Sequence, residues 1–330
     1  MRDDVTVTDH VPPYRAPAWL VGGHAQTIWP YLLRRPPVTL RRERVETDDG
    51  DFWDFDWLDA PASRDAAVVV LFHGLEGNAQ SHYARALFAH LAELGWRGIV
   101  PHFRGCSGEI NRLPRAYHSG DHAEVAAMLR AIRDRVGANA TLYAVGVSLG
   151  GSTLLNWLGR AGRDAAKIIT AAAAISAPID LTAAGIAIGQ GANRIYTRAF
   201  LRTLKPKALA MAATFPDILD PSRINGARSM WMFDEFVTAP LHGFAGADDY
   251  WSRASSKPWL AGVALPTLVL NARNDPFIPA WSLPRQSDVS RDVVLGQPSD
   301  GGHAGFLVGP APGSLAWLPK RVVHFFTRGA

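Results

Sequence analysis

The chain has 330 residues, of which 48% are hydrophobic and 19% charged, enough to bury a full core and unlike a disordered or collagen-like composition. Its net charge of +4, from 34 Lys and Arg against 30 Asp and Glu, is too small and diffuse to indicate a nucleic-acid partner. A single cysteine, Cys106, excludes an internal disulfide framework and suits a reducing, cytoplasmic compartment.

The start, Met1-Arg2-Asp3-Asp4, lacks the apolar segment of a signal peptide, and the longest apolar run, around residues 171–175, is too short to cross a bilayer. A Pro-rich opening leads to two extended segments at 38–47 and 52–58, joined by the turn Asp48-Asp49-Gly50. An alternation follows. Residues 67–72 (AVVVLF) read as a buried parallel strand. Residues 81–94 read as a helix, 97–101 as a strand, 118–136 as a helix, 141–145 as a strand, 149–160 as a helix and 168–175 as a strand. Residues 180–262 then break the rhythm with helical pieces rich in Pro, Trp and Phe. It resumes with strands at 265–271 and 292–295 and a helix at 315–327. This order predicts one α/β domain with a mostly parallel sheet covered by helices on both faces. It carries an N-terminal extension over 1–37 and a cap insertion over 180–262, since long insertions of this kind are usually functional.

Gly146-Val147-Ser148-Leu149-Gly150 fits G-x-S-x-G between a strand and a helix, the context of a nucleophile elbow. The nucleophile must stand on a strained turn, so the flanking residues must be small, and the following helix points its positive end at the site. A plain glycine-rich turn would show the same pentapeptide; the strand and helix around it favour the elbow. His73-Gly74-Leu75-Glu76-Gly77 follows the strand at 67–72, where this architecture draws its second oxyanion donor. The backbone N–H groups of Leu75 and Leu149 are therefore the candidate donors, and His73 reads as a brace of that loop.

The base and acid should follow the serine as acid, then histidine. His303, in Gly301-Gly302-His303-Ala304-Gly305, follows the last strand and is preferred to His242 in the cap and His324 in the terminal helix. Asp275, in Asn274-Asp275-Pro276-Phe277, follows the strand at 265–271 and is preferred to Asp180, which sits one strand earlier. Its task would be to hold the His303 tautomer and stabilise the imidazolium. The expected reaction is acyl transfer from a carboxylic ester to Ser148, then to water. Thioesterase and amidase chemistry use the same parts, and a non-catalytic ligand-binding protein on this fold is the competing class. The histidines lack ligand spacing, so neither metal nor cofactor is expected.

With these residues in place, the chain resembles the YheT-like branch of the α/β-hydrolases, bacterial relatives of eukaryotic lipases. The matching blocks are Gly23-His24-Ala25-Gln26-Thr27, the His73–Gly77 and Ser148 motifs, His102-Phe103-Arg104-Gly105-Cys106-Ser107-Gly108-Glu109, Tyr117-His118-Ser119-Gly120, Asp275-Pro276-Phe277 and Gly302-His303-Ala304-Gly305-Phe306. The resemblance implies the Ser148, Asp275, His303 triad and action on carboxylic esters, a class that includes lipid-like ones. It departs from relatives with a His-x₄-Asp acyltransferase motif, which is absent here. Arg104 and His118 are expected to form a polar network beside the site, and Cys106 to be an inert buried thiol.

The cap holds Arg194, Arg198 and Arg202 at helical spacing, then Lys205 and Lys207, with no acid among them. A solvated helix face accounts for them; an anionic lipid surface is the partner they would fit, with Ile195, Phe200 and Leu201 alongside. Trp231, Phe233 and Phe236 are candidates for an acyl pocket or for the core of the cap.

Overall fold

The apolar runs are parallel strands because each can be buried on both faces. The computed structural model describes residues 11–63 and 65–328; the Met1–Asp4 start lies outside them. The strands are β1 (Leu40–Glu46), β2 (Phe52–Leu58), β3 (Val68–Phe72), β4 (Arg97–Pro101), β5 (Leu142–Val147), β6 (Ala171–Ile175), β7 (Thr267–Leu270) and β8 (Val293–Gly296). They form one eight-stranded sheet in the order β1-β2-β4-β3-β5-β6-β7-β8. β1 and β2 are an antiparallel hairpin attached antiparallel to β4, and the remaining pairings are parallel.

Helix α1 (Gly23–Leu32) precedes the sheet; α2 (His82–Glu93), α3 (His122–Val136), α4 (Leu149–Ala161) and α11 (Trp317–Arg328) cover it. Side chains alternate along a strand. Val68, Val70 and Phe72 therefore join α3 and α4 in the core on one face, and Val69 and Leu71 join α2 and α11 on the other. Each such burial contributes about 1.5–3 kcal/mol.

Between β6 and β7 lie α5 (Leu181–Ile188), α6 (Arg194–Thr214), α7 (Pro221–Gly226), α8 (Met230–Phe233), α9 (Ala239–His242) and α10 (Ala247–Ala254). This is the cap, with its own apolar core of Leu201, Leu204, Ala208, Met230, Phe233 and Trp251 among others. Among the described residues, no helix is long and apolar enough to cross a membrane.

Two element boundaries differ from expectation for local reasons. The helix expected over 118–136 begins at His122, because Asp121 accepts the Glu124 N–H as its N-cap and residues 117–120 are left as a turn. The N-terminal extension contains α1, which the Pro-rich sequence hides; most of its side chains are exposed, and it is held by what Gln26 and Thr27 bond, described below.

The 102–109 block is a polar clamp. Arg104, whose side chain is 3% exposed, donates to Glu124 (2.7 Å), Asp51 (2.6 Å) and Asp49 (2.9 Å), joining the β1–β2 turn to α3. Trp53 Nε1 donates to the same Glu124, and Asn111 to Asp51. Along β2, Arg44 pairs with Asp54, while Arg42 and His102 share Asp56. Burial alone would raise these carboxyls. Arg112 N–H, Asn111 and Arg104 outweigh it at Asp51, Arg44 does so at Asp54, and Arg42 with His102 does so at Asp56, so all three lie below the usual range.

A carboxyl depressed in the folded state stabilises above its unfolded pKa, and that contribution is lost as pH falls. The thermal midpoint should therefore hold steady above about pH 5 and fall as pH drops below about 4, followed by circular dichroism. Arg104→Met strands Asp51 and Glu124 and should cost about 3–5 kcal/mol in urea unfolding; an unchanged midpoint would remove the clamp as a source of stability.

Candidate active site

The path of the chain through the sheet makes the site. It runs from β3 to β4 on one side, then returns past β3 to β5, which sets Phe72 opposite Gly146. The loops leaving β3 and β5 thus start side by side, and the crevice outside such a reversal is where open α/β sheets bind ligands. Ser148 occupies the single step between β5 and α4, with φ 55° and ψ −124°. That left-handed conformation costs a non-glycine residue of order 1–3 kcal/mol. The flanking glycines are required by close approach. A Cβ on Gly146 would lie 2.5 Å from Gly150 O, and one on Gly150 would lie 2.4 Å from Phe72 O.

Three of the sequence-nominated side chains meet. Ser148 Oγ–H donates to His303 Nε2 at 2.8 Å, and His303 Nδ1–H donates to Asp275 Oδ2 at 2.8 Å. The Asp275 side chain is fully buried, and its other oxygen accepts Phe277 N–H at 2.8 Å. Phe277 lies against the His303 ring, centroid to centroid 4.2 Å. Asp180, the rival acid, is instead the N-cap of α5, accepting Ala183 N–H at 2.9 Å. His242 is away from Ser148, packed on His118 at 4.4 Å.

Leu149 is the first residue of α4, so its N–H has no partner within the helix. Leu75 lies in the turn after β3, and Leu75 and Leu149 both border the crevice that holds Ser148. The turn is stitched from both sides. Tyr83 accepts Gly74 N–H at 2.9 Å, and Tyr117 accepts Glu76 N–H at 2.8 Å. His73 is buried; its Nδ1–H donates to Gly74 O and its Nε2 accepts Phe103 N–H. Burial lowers its pKa to about 3, so it is a neutral brace. Burial likewise lowers His118 to about 4 and pushes the Cys106 thiol up to about 12, leaving Cys106 unreactive.

No role for α1 is assigned from the sequence, although Gly23-His24-Ala25-Gln26-Thr27 is one of the blocks on which the family resemblance rests. Gln26, 2% exposed, accepts Asn274 Nδ2–H and Gly301 N–H, both at 2.8 Å, while donating to Leu20 O. Thr27 Oγ1 accepts His303 N–H at 2.9 Å and donates to Gly23 O. One helical turn thus fixes both the loop that carries Asp275 and the loop that carries His303. The available signal is that block itself, which matches the family without supplying a reacting group. Ser176 adds a third tie, accepting Ala304 N–H at 3.0 Å.

The crevice over Ser148 is apolar, walled by Leu181, Ile188, Phe200, Trp251 and Phe277. Of the aromatic cap residues considered above, Phe233 faces a cavity. Trp231 is on the outside, bonded to Asp248, and Phe236 lies under Arg223. Arg194, Arg198, Arg202 and Lys205 line an open groove on the outer side of α6, joined by Arg228. Lys207 does not belong with them; it turns to Glu76 at 2.9 Å. Of the apolar residues expected beside the charges, Ile195 is exposed, whereas Leu201 is in the cap core and Phe200 lines the crevice.

A family model described as alpha/beta hydrolase fold matches residues 67–310. The chain is 37% identical over 308 residues to the putative esterase YheT of Escherichia coli, covering 92% of this chain and 90% of that protein. It is 30% identical over 330 residues to human Phospholipase ABHD3, covering 96% of this chain and 80% of that protein. Among solved structures, the Pyrococcus furiosus esterase Pf2001 superposes with TM-score 0.55 at 15% identity, covering 88% and 93% of the two chains, a likeness of fold. The chain belongs to the α/β-hydrolase family, on the branch that includes YheT.

Thr27→Val keeps the shape of the side chain but removes the acceptor of His303 N–H. An unsatisfied buried donor costs about 1–3 kcal/mol, so the thermal midpoint should fall by roughly a few degrees, and labelling of Ser148 by a fluorophosphonate should slow about 10-fold or more as the His303 loop shifts. An unaltered labelling rate would show that α1 does not position His303.

Proposed function

We propose that this protein hydrolyses carboxylic esters through an acyl-enzyme on Ser148. The observation that carries the reading is the unbroken hydrogen-bonded chain from Ser148 Oγ through the His303 ring to buried Asp275, both links 2.8 Å. His303 takes the serine proton as Oγ attacks the ester carbonyl, and Asp275 holds the ring and stabilises its charge. The N–H groups of Leu75 and Leu149 receive the developing oxyanion, a contribution typically worth about 10²–10³ in rate per donor. The imidazolium then protonates the leaving alcohol. Water, deprotonated by His303, cleaves the acyl-enzyme and returns the proton to Ser148. The names of the relatives, a putative esterase and a phospholipase, support an ester as the substrate. The lone, buried Cys106 supports a cytoplasmic setting.

Ser148→Ala should abolish fluorophosphonate labelling and all turnover of p-nitrophenyl esters while leaving the fold intact. Labelling at the wild-type rate would overturn the assignment, and wild-type protein that cleaves no ester would favour a ligand-binding role.

We also propose that the groove on α6 meets an anionic lipid surface. Charge supports this: Arg194, Arg198, Arg202, Lys205 and Arg228 lie together there, and among the described residues no carboxylate pairs with them. Each cation near such a surface contributes about 1 kcal/mol, so Arg198→Gln with Arg202→Gln should weaken sedimentation with anionic vesicles about 30-fold. Equal partition onto neutral vesicles would remove the proposal.

A further inference from the structure

Helix α1 is built inside out. A helix at a protein surface ordinarily turns its apolar stripe inward and its polar residues to water. In α1 the polar residues Gln26 and Thr27 face the protein and bond the loops around Asp275 and His303. The outward stripe is Ile28, Tyr31 and Leu32, at three- and four-residue spacing and 40%, 60% and 67% exposed. Val21, just before the helix, is also exposed. No charged residue lies within Gly23–Leu32. Single exposed apolar side chains are ordinary, whereas a contiguous stripe marks a contact surface.

The helix adjoins the site. His24 Nδ1 and the Tyr196 hydroxyl share a hydrogen bond of 3.0 Å, and their rings stack. Tyr196 packs on Phe277 at 4.6 Å, and Phe277 lines the crevice beside His303. Thus α1 reaches the crevice through two rings, Tyr196 and Phe277. Charge selects what covers the stripe. Residues 11–40 contain Arg15, Arg34 and Arg35 and no acid. Arg34 and Arg35 come directly after the helix, and Arg35 lies over the Tyr31 ring at 5.5 Å. A second copy of the chain packed about a two-fold axis would set stripe against stripe and bring these like charges together uncompensated. Lipid phosphates compensate them, while acyl chains take the apolar side chains and the interface suits the ring and hydroxyl of Tyr31.

We propose that α1 is a lipid-docking helix, lying along a bilayer with Val21, Ile28, Tyr31 and Leu32 at the boundary of headgroups and acyl chains and Arg34 and Arg35 at the phosphates. This contact is apolar and separate from the cationic row on α6, and it does not depend on the hydrolase reading. Because the inner face of the same helix holds the His303 loop, docking sets the His303 side of the crevice beside the bilayer.

The test removes apolar surface without changing charge. Ile28→Gln with Leu32→Gln is compared with Ile218→Gln, which alters an isoleucine of equal 40% exposure outside α1. Wild type and variants are sedimented with vesicles of phosphatidylcholine and phosphatidylserine at low salt and at high salt, where screening removes most of the arginine contribution. Each apolar side chain withdrawn from the bilayer lowers partition about tenfold, so the double variant should bind about 100-fold more weakly at both salts, with Ile218→Gln unchanged. Circular dichroism melting checks that each variant is folded, and Val21→Gln, at a residue outside the helix, repeats the test should the double variant loosen α1. Arg198→Gln with Arg202→Gln should instead lose only the salt-sensitive part of binding. Wild type that does not sediment at high salt, a folded double variant that sediments like wild type, or an equal loss in Ile218→Gln would overturn the proposal. Wild type that is dimeric by light scattering, with the double variant monomeric, would assign the stripe to a second copy and overturn it too. Binding is read without turnover, so loss of docking and absence of ester cleavage remain distinct results.

Discussion

Parallel pairing of β3 with β5 is the constraint from which the site follows. The two strands are distant in sequence and adjacent in space because the chain reverses its direction of travel across the sheet there. Their pairing is so close at the carboxyl edge that Gly150 lies against the Phe72 and His73 carbonyls, with no room for a Cβ. Ser148, left between that contact and α4, is forced into a left-handed conformation, and its N–H is secured by Ile175 O at 2.8 Å. The strain is local. The energy that maintains it comes from the apolar strands beneath, buried on both faces.

The loops above the sheet are held in a different way. They contain too many glycines and polar groups to be fixed by packing, so hydrogen bonds from outside fix them: Tyr83 and Tyr117 on the turn after β3, Gln26, Thr27 and Ser176 on the loops around Asp275 and His303. Each such bond is worth only about 0.5–1.5 kcal/mol net, but each removes a direction in which the loop can move. A proton relay needs that restriction more than it needs stability, because its geometry must hold to a fraction of an ångström. The Arg104 clamp serves the next layer out, tying the β1–β2 turn to α3 behind the turn that carries Leu75.

The insertion between β6 and β7 has its own apolar cluster and is tied to the sheet domain by Tyr250 to Ser119, Ala254 to Asn156, Asn193 to Pro276 and Lys207 to Glu76. Its core is continuous with Leu75, so the turn after β3 packs against the insertion as well as the sheet. The crevice is thus walled by side chains from both units.

The amino-acid sequence by itself determined the α/β architecture, the elbow at Ser148 and the order of its partners, because strand burial and glycine spacing are written in consecutive residues. It also ranked Asp275 above Asp180; in the structure Asp275 bonds His303, while Asp180 caps α5. It could not show that α1 exists as a clamp, that Lys207 leaves the cationic row for Glu76, or that Leu201 and Phe200 turn inward. Those are decided by which side of a helix meets a neighbour, a relation between residues far apart in the chain. The same holds for the cavity that Phe233 faces. It is a space rather than a segment, bounded by α6, residues 234–238, Leu75 and Leu149, which are far apart in the chain.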